Sequence, residues 1–280
     1  MTRVAVIGSP EKESAPAVMQ RACAWLSQRA EVVFAELTYE AGRALPFDPD
    51  LLIVLGGDGT LIAVVNHLAE RQVPIGGVNL GKLGFLAEFT IDELEHNGDF
   101  LFRGQPPVTR RIMLDVRMER PDGGVLRRHA VNDCVVLAGP PYRMIELHVA
   151  ARGDEVAELR GDGLTVGTGW ASTAHNLSAG GPILEPTAEV MLLTPICAHA
   201  LTFRPLALDA RREIVVRGRR VNEGTTVIVD GQVWTGIGEA DRLIVRRYAA
   251  DFLLVRNPAR PTWHALRRKL MWGENPGSRA

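Results

Sequence analysis

Asp58 stands inside the run Gly56-Gly57-Asp58-Gly59-Thr60, which joins five consecutive apolar residues, Leu51 to Leu55, to a helical pattern beginning near Leu61. A short apolar run bounded by turn formers fits a strand buried on both faces of a parallel sheet. Ligands of open α/β sheets gather at the carboxyl ends of such strands, where glycines let backbone N–H groups approach an anion and the helix N-terminus favours negative charge. A carboxylate beside phosphates is unfavourable unless it meets a cation or accepts a proton, so Asp58 points to phosphoryl transfer more than to passive nucleotide binding. The N–H groups around Gly56, Gly57 and Gly59 are expected to hold the anionic oxygens. The plain alternative is a tight strand-to-helix turn with a capping Asp and no chemistry.

A second polar cluster runs from Arg160 to Ile183 and is dense in glycine, hydroxyl and amide side chains. Ser172, Thr173, Asn176 and Ser178 can donate and accept hydrogen bonds around a sugar or an amide, while the small residues between them allow close approach. The same stretch also reads as a strand, a turn and a helix start capped by Ser172, with the glycines solving only backbone problems.

The elements that must carry these groups follow from periodicity. Val4 to Ile7 and Val32 to Ala35 read as strands on either side of a helix capped by Ser14, whose Val18, Ala22, Trp25 and Leu26 share a face. Val73 to Val78 adds another buried strand leading to the glycine-rich Asn79–Leu86, and Asp92 to Phe102 reads as a helix. From Arg111 the period changes to two, with Ile112, Leu114, Val116 and Met118 facing one way and Arg111, Met113, Asp115, Arg117 and Glu119 the other. Pro121-Asp122-Gly123-Gly124 supplies a hairpin turn. Short strands follow at Val131–Leu137, Ile145–Ala150, Val190–Leu193, Ile214–Val216, Thr225–Val229 and Leu243–Val245. A last helix starts after Thr262 as cap, carries Trp263, Leu266 and Leu270 on one face, and stops at Gly273. The expected organisation is an α/β domain over 1–108, a mostly β domain over 109–247, and a segment over 248–280 whose helix packs back on the first domain.

Composition bounds the function classes. With 280 residues, 46% of them hydrophobic, the chain can bury a sizeable core. A net charge of −1 gives no electrostatic case for nucleic acid or a membrane surface. Met1 to Gly8 runs straight into a strand pattern, without the charged lead and apolar segment of a cleavable signal. No apolar run is long enough to span a bilayer. Cys23, Cys134 and Cys197 are odd in number and lack metal spacing, so a reducing, cytoplasmic setting is expected. His67, His96, His129, His148, His199 and His264 show no paired metal spacing either. There is no Gly-x-Ser-x-Gly elbow and no Gly-x-x-x-x-Gly-Lys-Ser/Thr loop. Trp25, Trp234, Trp263 and Trp272 are read as core or interface residues.

Taken together, the motifs resemble those of the NAD kinases. The resemblance runs through Gly56–Thr60, Asn79–Leu86, Asn132-Asp133, Asp162-Gly163-Leu164, Ser172-Thr173-Ala174, Leu177–Pro182, Leu193–Cys197, Phe203-Arg204-Pro205 and Asp230-Gly231-Gln232, and ends at Leu266–Gly273. The first motif is shared with lipid kinases and phosphofructokinases; the cluster from 160 to 183 separates them.

The resemblance implies transfer of the terminal phosphoryl group of ATP, or of polyphosphate, to the 2′-hydroxyl of the adenosine ribose of NAD, giving NADP. It also implies a Rossmann-like N-terminal domain over 1–108, a β-sandwich-like C-terminal domain over 109–247, a divalent cation, Mg2+, carried on the phosphates, and a homodimer or homotetramer. By position, it makes Asp58 the proton acceptor and Gly59 a dinucleotide contact. Asn132, Asp133, Arg143, Arg160 and Asp162 fall at further contact positions, Thr173, Ala174, His175, Asn176, Leu177 and Ser178 line the adenosine and nicotinamide parts, and Gln232 completes the pocket. This chain departs from the family pattern at Asp133, where a Glu is usual, at His175, where a Tyr is usual, and at the bulky Trp170.

Two rivals remain at this level. A lipid or sugar kinase of the same turn type would need an amphipathic surface or sugar-phosphate site, which the sequence does not display. A dinucleotide-binding regulator without catalysis would have no need of Asp58.

Overall fold

The computed structural model describes residues 1–37, 48–81, 84–261 and 263–273. The chain divides into two compact units, Met1–Arg110 with Phe252–Ala280, and Arg111–Asp251. Among the described residues no helix is long and apolar enough to cross a membrane.

The first unit is built on β1 (Arg3–Gly8), β2 (Glu31–Glu36), β3 (Leu51–Leu55), β4 (Ile75–Val78) and β5 (Val108–Arg111), with helices α1 (Ala15–Leu26), α2 (Asp58–Leu68) and α3 (Ile91–Asn97). β1, β2, β3 and β4 pair in parallel, and β1 lies between β2 and β3. The chain thus leaves β1 toward one edge and returns on its other side, which makes the gap between the carboxyl ends of β1 and β3 a topological switch point. Gly8 and Leu55 are register partners there, so the glycine turn after Leu55 opens at that gap. Every residue of β3 is buried, as expected for a parallel strand covered on both faces.

Some local expectations for this unit change. Ser14 occupies the N-cap of α1 but makes no side-chain cap bond. The expected helix over Asp92–Phe102 is α3 followed by a 3₁₀ turn, Gly98–Phe102. At the junction Gly98 packs under Trp25, where a Cβ would lie 2.6 Å from the indole. α3 itself starts with a reciprocal capping box between Thr90 and Glu93.

The second unit begins with β6 (Leu114–Glu119), β7 (Val125–Ala130), β8 (Asp133–Leu137), β9 (Ile145–Ala151), β10 (Asp154–Gly161) and β11 (Gly163–Thr168). After a 3₁₀ turn at Trp170–Thr173 and the short α4 (His175–Ser178) come β12 (Val190–Ile196), β13 (Leu206–Asp209), β14 (Ile214–Arg220), β15 (Thr226–Val229), β16 (Gln232–Gly236) and β17 (Arg242–Arg247). Two six-stranded sheets form, ordered β10-β9-β14-β17-β6-β7 and β13-β12-β11-β8-β15-β16. One core holds Val116, Leu147, Val216 and Val245 from the first sheet with Val136, Leu164, Leu193 and Val227 from the second. Side chains alternate about the strand plane, as in the strictly alternating burial of β9, so two such faces meet as a sandwich.

The supposedly polar face of the strand after Arg111 is not open to water. Arg111, Met113 and Asp115 are all buried, and Asp115 is paired with Arg246 at 2.8 Å. Strands β10, β13 and β16 escaped the pattern reading, β10 being an edge strand rich in charge; β11, the strand of the backbone reading of 160–183, is buried throughout although it is composed of glycine and threonine as well as aliphatic residues.

The chain then returns to the first unit. β18 (Phe252–Val255) pairs in parallel with β4, and α5 (His264–Leu270) places the Lys269 ammonium 4.3 Å from the centre of the Phe85 ring. The left-handed residue ending α5 is Met271 rather than the expected Gly273. Thr262, expected as its cap, lies outside the described residues. Trp263 and Trp272 are exposed rather than in a core, whereas Trp25 is buried.

Candidate active site

In the first unit Asp58 is the first residue of α2, directly after the N-cap Gly57. The leading N–H groups of a helix have no intrahelical partner and carry the positive end of its dipole, so Gly57, Asp58 and Gly59 present an anion-binding turn with a carboxylate inside it. Gly57 and Gly59 are exposed, and a Cβ on either would meet nothing within 4 Å. Gly56 differs: its N–H donates to the Val78 carbonyl at 2.9 Å. It therefore cannot hold a phosphate oxygen as expected; its role is close packing, since a Cβ there would collide with the Thr60 side chain.

The Asp58 carboxylate is fixed from a distant stretch of chain. Oδ2 accepts the N–H of Phe85 and Oδ1 the N–H of Leu86, each at 2.9 Å. Gly84 makes room for this, because a Cβ at that position would overlap Oδ1 and lie 2.9 Å from Cγ. Each carboxylate oxygen keeps a further acceptor site, so Asp58 is held in place and still able to take a proton. Gly84, Phe85 and Leu86 fell within a noted motif, but the bonds of Phe85 and Leu86 to Asp58 had no local signal.

In the second unit Asn132 and Asp133 open β8 beside the turn between β15 and β16. Asp230 and Gly231 both have positive φ, 49° and 76°, the two-residue turn that favours Asp-Gly in a hairpin. The Asp230 carboxylate accepts the N–H of Val131, Asn132 and Asp133 at 2.8, 2.7 and 3.2 Å. Asp133 is 3% exposed. Burial pushes its carboxyl up to about 6, the Asp230 charge adds to that, and the His175 ring and backbone N–H partly oppose it. Asp133 and the start of α4 are therefore in contact.

The rest of the 160–183 cluster separates into two roles. Thr173, Ala174 and Leu177 are half-buried, and His175 and Ser178 are exposed. Asn176 is turned inward: its amide donates to the carbonyls of Ser172 and Pro182 at 2.8 and 2.9 Å and accepts the Thr194 hydroxyl at 2.6 Å. With both N–H bonds committed, its side chain ties the segment 172–182 to β12. The Ser172 hydroxyl likewise accepts the Leu184 N–H at 3.0 Å instead of capping a helix. Trp170 is buried, with its indole N–H on the Ile112 carbonyl. Gln232 is exposed and accepts from Arg128 at 2.6 Å.

Arg143, Arg160 and Asp162 are not brought to Asp133 within the unit. In the register of β8 and β11, Asp133 faces Gly167 whereas Gly163 faces Leu137. Asp162 therefore sits about 15 Å away at the other end of the strands, at 3.3–3.4 Å per residue. Arg160 pairs there with Glu146 at 3.4 Å, Arg143 is exposed, and the Asp162 carboxylate pushes the neighbouring Cys197 thiol up.

Residues 4–105 match the family model of the ATP-NAD kinase N-terminal domain, and residues 131–257 match that of the ATP-NAD kinase C-terminal domain. The chain belongs to the NAD kinase family. It is a kinase that phosphorylates NAD to NADP with ATP. The chain is 36% identical to the NAD kinase of Geobacter sulfurreducens, over 98% of this chain and 100% of the relative. It is 35% identical to that of Rhodopirellula baltica, over 96% and 86%. Among solved structures, an NAD kinase from Archaeoglobus fulgidus in complex with ATP superposes with a TM-score of 0.73 at 25% identity, over 96% of this chain and 97% of that one. Yeast NADH kinase complexed with NADH shares the fold, with a TM-score of 0.84 at 21% identity over 98% and 89%.

Proposed function

We propose that the enzyme transfers the terminal phosphoryl group of ATP to the 2′-hydroxyl of the adenosine ribose of NAD, with Asp58 accepting the hydroxyl proton. The observation that carries this is the placement of Asp58: a carboxylate inside a helix-start anion site, immobilised by two backbone N–H groups with acceptor capacity left over. A ribose hydroxyl is a poor nucleophile near neutral pH, and a positioned carboxylate lowers the barrier by taking its proton as the phosphorus–oxygen bond forms. The N–H groups of Gly57 and Gly59 stabilise charge on the phosphoryl oxygens. Asn132, Asp133, Thr173, Ala174, His175, Leu177, Ser178 and Gln232 hold the dinucleotide.

Among the described residues no three His, Cys, Asp or Glu side chains come together as a metal site. The divalent ion, Mg2+, would ride on the donor phosphates and water, where it would neutralise donor charge. Arg143, Arg160 and Asp162 lie at the far end of the sheet from Asp133, and a second copy of the chain in a homodimer or homotetramer would bring them to its dinucleotide. The setting is cytoplasmic, in keeping with three cysteines that form no disulfide.

The test is NADP formation from ATP, Mg2+ and NAD by the full chain and by Asp58→Asn. General-base loss should lower kcat by about 10²–10⁴-fold. A variant that kept its velocity within threefold would remove Asp58 from the reaction.

A further inference from the structure

The Asp230-Gly231 dipeptide has an obvious local explanation, since a two-residue hairpin turn with both φ values positive favours this pair. That explanation does not cover the side chain. Its two carboxylate oxygens collect three consecutive backbone N–H groups, those of Val131, Asn132 and Asp133, about a hundred residues earlier in the chain. The contact is reciprocal, because the Asp230 N–H donates to the Asp133 carbonyl at 3.0 Å. The segment 131–133 enters β8 at the point where it faces β11 and the start of α4, and there the buried Asp133 meets the backbone N–H of His175.

We propose that Asp230 is a positioning residue for the dinucleotide: its carboxylate clamps the backbone of residues 131–133 and so sets where Asn132 and Asp133 present their side chains. This rests on the reading that Asn132 and Asp133 contact NAD. Keeping two carboxylates side by side in a mostly buried setting is unfavourable, and an uncharged turn former would serve the hairpin as well. The three amide donors explain why the charge is tolerated: ionised acceptors make the stronger hydrogen bonds, and each donor stabilises the charged form. The charge is also felt by Asp133, whose carboxyl it holds above the ordinary range in addition to the effect of burial. The titratable groups acting on Asp133 are Asp230 from the hairpin turn and His175 from α4, with the buried Cys134 thiol next to it in β8.

Asp230→Asn separates the two explanations, because Asn adopts left-handed backbone at least as readily as Asp and keeps the turn. One amide oxygen can no longer receive all three N–H groups, and the new NH2 faces a donor. The expected result is an increase of about tenfold in KM for NAD, with KM for ATP little changed. The acidic limb of the kcat/KM profile for NAD should also shift to lower pH, because Asp133 loses its negative neighbour. Asp230→Gly, which suits the turn and removes the side chain, should raise KM for NAD in the same way. Both variants matching the parent in KM and in the position of the limb would overturn the proposal. Asp133→Asn tells the two failures apart. If it raises KM for NAD while the Asp230 variants are neutral, only the clamp is wrong; if it too is neutral, the binding role of Asp133 falls, and the clamp with it.

Discussion

Adding a single methyl group at Gly84 tests whether the fixed position of Asp58 matters for turnover. Gly84 has no left-handed backbone requirement, so alanine introduces no strain of its own, and the perturbation is the collision alone. The new Cβ would overlap Asp58 Oδ1 and stand 2.9 and 3.2 Å from Cγ and Oδ2. Relief to ordinary van der Waals separation requires the carboxylate or the loop to move by about 1 Å. Such a movement breaks or stretches the two bonds from Phe85 and Leu86, both 2.9 Å long. Hydrogen bonds to a charged group are worth about 1.5–3 kcal/mol each, and a misplacement of about 1 Å at a reacting group can cost about 100-fold. Gly84→Ala should therefore lower kcat about 100-fold, with a smaller change in KM for ATP or NAD. Gly81→Ala is the control, since a Cβ there meets nothing within 4 Å, and it should stay within about twofold of the parent. The assay is steady-state NADP formation with each substrate varied, accompanied by a thermal melt to confirm folding. A folded Gly84→Ala protein with kcat within threefold of the parent would refute the argument that the 84–86 segment holds the base in its working position.

Two further outcomes follow from buried polar groups. Asp133 has a folded carboxyl near 6 against about 4 in the unfolded chain, so its favourable contribution is present at low pH and is lost as pH rises from about 4 through 6. Above that window it costs about 2–3 kcal/mol, so Asp133→Asn should melt higher than the parent at pH 7.5, with the gap narrowing toward pH 5; a gap independent of pH would contradict this. Asn176→Ala should destabilise the protein by about 2–4 kcal/mol, because it strands the Thr194 hydroxyl and two carbonyls in the interior; a denaturation midpoint corresponding to less than about 1 kcal/mol would show that these bonds are replaceable.

Local covalent logic was readable along the chain. Five apolar residues followed by glycines specify β3 and its turn, period-two alternation specifies the sandwich strands, and Asp-Gly specifies a hairpin turn, because each depends only on neighbouring residues. The same holds for the carboxylate at the start of α2, whose position beside the first helical N–H groups is a matter of spacing. What the folded structure alone decided are the bonds between distant segments. Gly56 lost its expected anion-binding role because β4 takes its N–H, and Asp58 gained a holder 27 and 28 residues away. Asn176 turned inward because β12 brings Thr194 beneath it. Antiparallel register likewise moved Arg160 and Asp162 to the opposite end of the sheet from Asp133, although the sequence groups them with His175. Chain order preserves residue types and spacings, but hydrogen-bond partners and burial are set only when strands pair and two faces close on a common core.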